Sequence, residues 1–183
     1  MKITAIVIKK VPTNEYDQII HLYTKEHGKM QAIAKSSLKA NSKQAMHLGE
    51  GNLIECELIS GNGYPIITGA QALSCFLSIR SSLPKTAVMF FFLEVLDKVV
   101  FDHEHDRELW EFLFNSLNKL SEDDSPTLNF FRSSQEELLK VLGYAGVEKE
   151  KKNGRSSLDF FLERLAQKHI YSLDFLFRVC PKS

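Results

Sequence analysis

The chain has 183 residues, 44% of them hydrophobic and 25% charged, enough for one or two small globular domains with a real core. No apolar run approaches the roughly 18 residues that a membrane-spanning helix needs, and nothing near Met1 reads as a signal peptide, so neither is expected. Bases and acids balance at 23 each, but not along the chain: residues 1–48 hold eight lysines against three acids, a net of +5, and the remainder holds 15 bases against 20 acids, −5. A basic N-terminal part joined to an acidic remainder points to an anionic partner for the first.

The first element is a β-branched run over residues 3–11, ended by Pro12 and Asn14. Asp17 to Thr24 alternates as a second strand, and Glu26-His27-Gly28 reads as a hairpin turn. Lys29 to Lys35 forms a third strand, followed by a polar loop from Ser36 to Lys43. Asn52 to Ile59 and Pro65 to Ala72 are the fourth and fifth strands, separated by the turn signal Gly61-Asn62-Gly63. Five short strands with a longer loop between the third and fourth fit a small barrel of the OB (oligonucleotide/oligosaccharide-binding) type.

The pattern then changes to helix. Ser81-Ser82 and Pro84 open a helix over 85–101 in which Val88, Phe91, Phe92, Val95, Leu96 and Val99 recur at three- and four-residue spacing. Asp102 to Asp106 is a polar break before a second helix over 107–120. A third helix runs from Pro126 to about Leu142, where Gly143 stops it. Glu148 to Arg155 reads as a charged linker, and Ser156 to Arg178 as one or two further helices. The predicted architecture is α+β, with a five-stranded OB-type barrel over 1–78 and an all-helical domain over 79–183.

The basic charge is densest between Thr24 and Lys43, where Lys25, Lys29, Lys35, Lys39 and Lys43 face only Glu26. In an OB barrel, lysines on the loops and one strand face neutralise phosphates while rings stack on bases. Lys29, Lys35, Lys39 and Lys43 are therefore candidate contacts to nucleic-acid phosphates, with Lys9, Lys10 and Lys25 at the periphery. Tyr16, Tyr23, His27 and Tyr64 are the nearby rings. His103-Glu104-His105-Asp106 reads as a hydrated loop with a helix cap rather than a metal site, and Glu122-Asp123-Asp124 as a solvated loop. The Phe-rich stretch from Met89 to Phe92 reads as buried core. Cys56, Cys75 and Cys180 are scattered and odd in number, which fits a reducing cytoplasm better than a disulfide framework. The chain has no Gly-x-x-x-x-Gly-Lys-Ser/Thr loop, no Gly-x-Ser-x-Gly elbow and no His-Glu-x-x-His, so no enzymatic activity is expected.

The succession Ala5-Ile-Val-Ile-Lys-Lys, Asn14-Glu15-Tyr-Asp17, Leu22-Tyr-Thr24-Lys-Glu-His-Gly28-Lys, and Ala34-Lys35-Ser36 with Ser42 resembles the N-terminal domain of the RecO family of recombination mediators. A more diffuse likeness continues through Glu94-Val-Leu-Asp97, Leu113 to Leu120 and Leu142-Gly143-Tyr144. The resemblance implies a non-enzymatic DNA repair protein of the bacterial cytoplasm and nucleoid. Such a protein binds single- and double-stranded DNA, anneals complementary strands and helps load the RecA recombinase onto DNA coated by single-stranded-DNA-binding protein (SSB). Implied partners are RecR and the acidic, apolar C-terminal tail of SSB, with Arg132, Lys140, Lys168 and Arg178 as candidate contacts for that tail. Many members carry a four-cysteine zinc site after the Leu-Gly-Tyr sequence; no cysteine follows Tyr144 closely here, so no metal or other cofactor is expected. Ser36-Ser37-Leu38-Lys39 stands where the family often has glycine and arginine, so a bidentate arginine grip on phosphate is missing. Two rival readings use the same residues: a protein-interaction scaffold whose barrel has lost strong DNA binding, and an RNA-binding OB protein.

Overall fold

The structure is a computed structural model that describes residues 1–61, 63–122, 128–144, 151–152 and 155–180. It divides into two compact units: Met1–Phe76 together with Val100–Trp110, and Leu77–Val99 together with Glu111–Ser183.

The first unit is built on five strands, β1 (Lys2–Pro12), β2 (Gln18–Thr24), β3 (Gly28–Ala34), β4 (Leu53–Ile59) and β5 (Ile66–Ser74). They close into a barrel in the order β1-β2-β3-β5-β4, with β3 and β5 parallel through the Ile33–Ile66 pair. This is the OB topology that the strand spacing predicts. Alternation sends Ile3, Ala5 and Val7 of β1, Ile20 and Leu22 of β2, and Ile54, Cys56 and Leu58 of β4 into one buried cluster. Ala32 and Ala34 supply the small side chains that a narrow barrel interior requires. Leu48, from the β3–β4 loop, joins the same cluster. Burial pushes the Cys56 thiol up to about 12, with Glu26 and Glu55 adding to the effect, so it behaves as a small apolar side chain. A bulge between Val7 and Lys9 shifts the register of β1.

The segment from Val100 to Trp110 belongs to this barrel unit rather than to the helical part in which the predicted boundary at residue 78 left it. Lys29 bridges to Asp102 in parallel, and the His103 N–H donates to the Lys29 carbonyl at 2.7 Å. Gly28, at φ +67°, permits the approach: a Cβ there would lie 2.0 Å from the Glu104 carbonyl oxygen.

The second unit contains α1 (Leu77–Arg80), α2 (Leu83–Val99), most of α3 (Arg107–Glu122), α4 (Leu128–Val141), a two-residue pair β6 (Lys151–Lys152) and β7 (Arg155–Ser156), α5 (Ser157–Ala166) and α6 (Tyr171–Val179). The Phe-rich stretch is core, as its spacing predicts: Phe91 meets Phe131 edge-on at 4.9 Å and Phe92 meets Phe112 at 5.7 Å. The N-terminus of α6 has no side-chain cap of its own, because its cap residue is Ile170. Glu94 of α2 replaces it, accepting the Ser172 N–H at 2.7 Å and the Tyr171 N–H at 3.1 Å. The predicted helix start at Pro126, the residues Asp123 and Asp124, the turn residue Asn62 and most of the Glu148–Arg155 linker lie outside the described residues.

Candidate nucleic-acid interface

The β1–β2 turn is organised by Asn14. Its Oδ1 accepts the N–H groups of Tyr16 and Asp17, each at 2.9 Å, and the Asp17 carbonyl accepts the Thr13 N–H at 3.0 Å. Asp17 then ties this turn to the start of the β3–β4 loop, where its Oδ1 accepts the Ser36 N–H at 2.7 Å. That bond, with one from the Asn14 amide, holds the Asp17 carboxyl below its ordinary value, and Lys35 and Lys39 reinforce the effect. A second tie runs from the Leu38 N–H to the Tyr16 carbonyl at 2.9 Å. Ser36 adopts a left-handed φ of 54°, which turns the chain sharply out of β3. The result is a braced corner where Tyr16 is exposed and Lys39 Nζ lies 4.9 Å from its ring centre.

Three predicted lysines share this loop: Lys35, Lys39 and Lys43 are all exposed. The other four are distributed differently. Lys9 is exposed on β1 opposite His21, and Lys10 is half-buried opposite Ile20. Lys25 is exposed in the β2–β3 turn, about 25 Å along β2 from Asp17 at strand rise.

Lys29 is a correction. It is 7% exposed, its Nζ donates to the Val100 carbonyl at 2.8 Å, and Asp102 lies 3.8 Å away. A phosphate has no access to it, because the returning acidic segment has taken its charge. Tyr23 is a second correction. It is fully buried, its ring stacks on Trp110 at 6.3 Å and its hydroxyl donates to the Asp106 carbonyl at 3.3 Å. Burial, together with the charges of Asp106 and Glu104, pushes its phenol far up. It cannot stack on a base. Tyr16, His27 and Tyr64 remain exposed rings. The signal that sequence reading missed was the acidic run Asp102-His-Glu-His-Asp106, whose charge matches that of Lys29.

On the helical unit Arg132 is also a correction. Its Nη1 donates to Asp159 Oδ1 at 2.6 Å and to Gln135 Oε1 at 2.8 Å, and its guanidinium lies over Phe131 and Phe177. Asp159 and Gln135 are completely buried, so this arginine compensates an interior carboxylate rather than offering itself to a partner. Lys140, Lys168 and Arg178 are exposed, in the last turn of α4, after α5 and in the last turn of α6.

Among the described residues no helix is long and apolar enough to cross a membrane, and no cluster of His, Cys, Asp and Glu has metal-binding geometry. The Recombination protein O N terminal family matches residues 1–76, and the Recombination protein O C terminal family matches 80–172. The chain is 29% identical over 149 residues to the DNA repair protein RecO of Acetivibrio thermocellus, covering 79% of this chain and 58% of that protein. It is 32% identical over 127 residues to the protein of the same name from Dehalococcoides mccartyi, covering 69% and 50% respectively. For the Thermoanaerobacter protein of that name the identity is 28% over 144 residues, covering 79% and 58%. The chain thus spans between half and three-fifths of the length of these curated relatives. With an OB barrel under the N-terminal match and a helical unit under the C-terminal one, this chain belongs to the RecO family.

Proposed function

We propose that this protein is a DNA repair and recombination mediator that acts by binding, with no chemical step of its own. Its barrel, through Phe76, is the nucleic-acid-binding domain and its helical unit the partner-binding domain. The carrying observation is the braced corner of exposed Tyr16, Lys35 and Lys39 on the OB barrel of a RecO-family chain. Lys35, Lys39 and Lys43 neutralise successive phosphates of single- or double-stranded DNA, with Lys9, Lys10 and Lys25 contributing at longer range. Annealing of complementary strands, loading of RecA on SSB-coated DNA, and contacts with RecR and the SSB tail through Lys140, Lys168 and Arg178 complete the reading, in the bacterial cytoplasm and at the nucleoid.

The test is a salt titration of binding to a labelled oligonucleotide. Replacing Lys35, Lys39 and Lys43 with Ala is expected to weaken binding to unrelated sequences about equally. It is also expected to lower the slope of log K against log salt by roughly 0.7–0.9 for each phosphate that is no longer neutralised. Unchanged affinity and slope would overturn the assignment. Competition between DNA and RNA of one sequence separates the DNA reading from an RNA-binding one, because phosphate contacts do not report the sugar.

A further inference from the structure

The junction between α5 and α6 is a tight turn closed by one side chain. Gln167, at a left-handed φ of 51°, reverses the chain after Ala166, and His169 follows two positions later. The His169 ring has a carboxylate on each side. Nδ1 lies 2.7 Å from Glu163 Oε1 near the end of α5, and Nε2 lies 2.6 Å from Asp174 Oδ2 in the first turn of α6. Both are hydrogen-bond distances. A neutral imidazole has one N–H and one lone pair, so it serves only one of two ionised carboxylates; the charged imidazolium donates to both.

The charges around the ring set the sign of its effect. Glu94 and Lys98 face this junction from α2, Glu163 from α5 and Asp174 from α6, and the exposed Lys168 precedes it in the chain. Lys98 donates to the His169 carbonyl and to Glu94, and Glu94 accepts the Tyr171 and Ser172 N–H groups. The facing groups are thus three carboxylates against one ammonium, an excess that a positive ring offsets. Its hydrogen bonds hold the Glu94 carboxyl below its ordinary value against the upward effect of burial, so Glu94 stays ionised through the neutral range. His169 is also the single histidine of the helical unit, because His21, His27, His47, His103 and His105 all belong to the barrel unit. An imidazole is the side chain whose charge ordinarily changes between about pH 5 and 8.

The first turn of α6 depends on this junction, because its cap residue Ile170 offers no side-chain acceptor. Glu163 Oε1 also accepts the Ile170 N–H at 3.3 Å. The His169 ring packs edge-on against exposed Tyr171 at 4.9 Å, and Lys98 Nζ lies 5.1 Å from the centre of the same tyrosine ring. We propose that His169 is a pH-sensitive latch: while its imidazole is charged it fastens the first turn of α6 to the end of α5, and it releases that turn as pH rises through the imidazole range. The bonded form is the protonated one, so the contribution is present on the acid side and lost on the alkaline side. Ile170, Leu173 and Leu176 are fully buried and do not titrate, which confines the release to the junction and the turn beside it.

The test is amide hydrogen exchange on the full chain, followed by NMR from about pH 5.5 to 8.5 and corrected for the intrinsic rate at each pH. The reporters are the Tyr171, Ser172 and Leu173 amides, which bond to Glu94 and to the Ile170 carbonyl. In the wild-type chain their protection is expected to fall about two- to fourfold across that range, the scale of a part-exposed pair of ionic contacts. His169→Gln is neutral throughout, and its protection is expected to be low and independent of pH. Asp174→Asn keeps the Glu163 contact and is expected to show roughly half the wild-type response. A flat wild-type profile overturns the latch, as does a His169→Gln profile that falls as steeply as wild type. Should His169→Gln fail to fold, Asp174→Asn decides: a reduced response supports the latch and one as large as wild type overturns it.

Discussion

For a single residue, a place in a lysine-rich stretch says little about its role. Lys29 and Lys35 lie six positions apart on and beside one strand, yet Lys29 is buried against the Val100 carbonyl and Lys35 is exposed. Lys29→Met keeps the packing of the stem but leaves that carbonyl unsatisfied beside Asp102. The expected cost is about 1–3 kcal/mol in urea denaturation, with DNA affinity unchanged within error. A variant with reduced affinity and wild-type stability would return Lys29 to the interface. Lys35→Ala is expected to do the reverse, lowering affinity and salt slope at constant stability. The sequence shows both lysines equally. What it does not show is that the Asp102–Asp106 acids fold back onto one of them, across more than 70 positions.

Among the elements, two junctions depend on partners distant in sequence. The β2–β3 turn accepts the returning segment only because Gly28 has no Cβ. Gly28→Ala strains a left-handed φ and collides with the Glu104 carbonyl, so it is expected to destabilise the barrel unit by roughly 1–3 kcal/mol. Trp110 is the single tryptophan of the chain and stacks on Tyr23, so its fluorescence should shift towards that of a solvated indole. An unshifted spectrum with wild-type stability would show that the turn tolerates the methyl group. The second junction is α6, nine residues long and capped from α2 by Glu94. Glu94→Ala removes the acceptor for two helix N–H groups and is expected to cost about 1–2 kcal/mol, with a weaker helical signal in circular dichroism; Glu94→Gln should recover part of it. The five barrel strands and the longer helices were legible from alternation and three-to-four spacing, whereas α1 and the short β6–β7 pair were not. The cap was not, because Ile170 gives no sign that a carboxylate 76 positions earlier serves its helix.

Across the whole molecule, each unit contains a carboxyl held low by hydrogen bonds. For Asp17 the Ser36 N–H is the main cause. For Glu94 burial acts upward, but bonds from Lys98, Ser172 and Tyr171 outweigh it. A carboxyl whose folded value lies below its unfolded value contributes stability that is present above the unfolded value and is lost as pH falls through the folded one. With ordinary values of 3.8 and 4.5, the melting temperature is expected to be level down to about pH 5 and to decline below it. A melting temperature that stays level to pH 3, or a Glu94→Gln variant that declines as steeply as wild type, would remove these carboxyls as the cause.

The barrel, the helices, the split of charge and the resemblance to the RecO family are all written in the order of the amino acids, because each follows from periodicity, turn chemistry or residue order over short spans. The same order puts Lys39 and Lys43 in one polar loop and Lys35 at its edge, at the end of the predicted third strand. Folding in three dimensions settles the rest: which lysines face solvent, which rings are free, that Arg132 serves Asp159, and that Val11, Ile19, Ile33, Ile66 and Ile59 from five strands share one row. Those facts depend on sheet register and on a segment that returns to a distant strand. Neither leaves a local mark, since alternation separates the two faces of one strand but does not say which residues of another strand stand beside them.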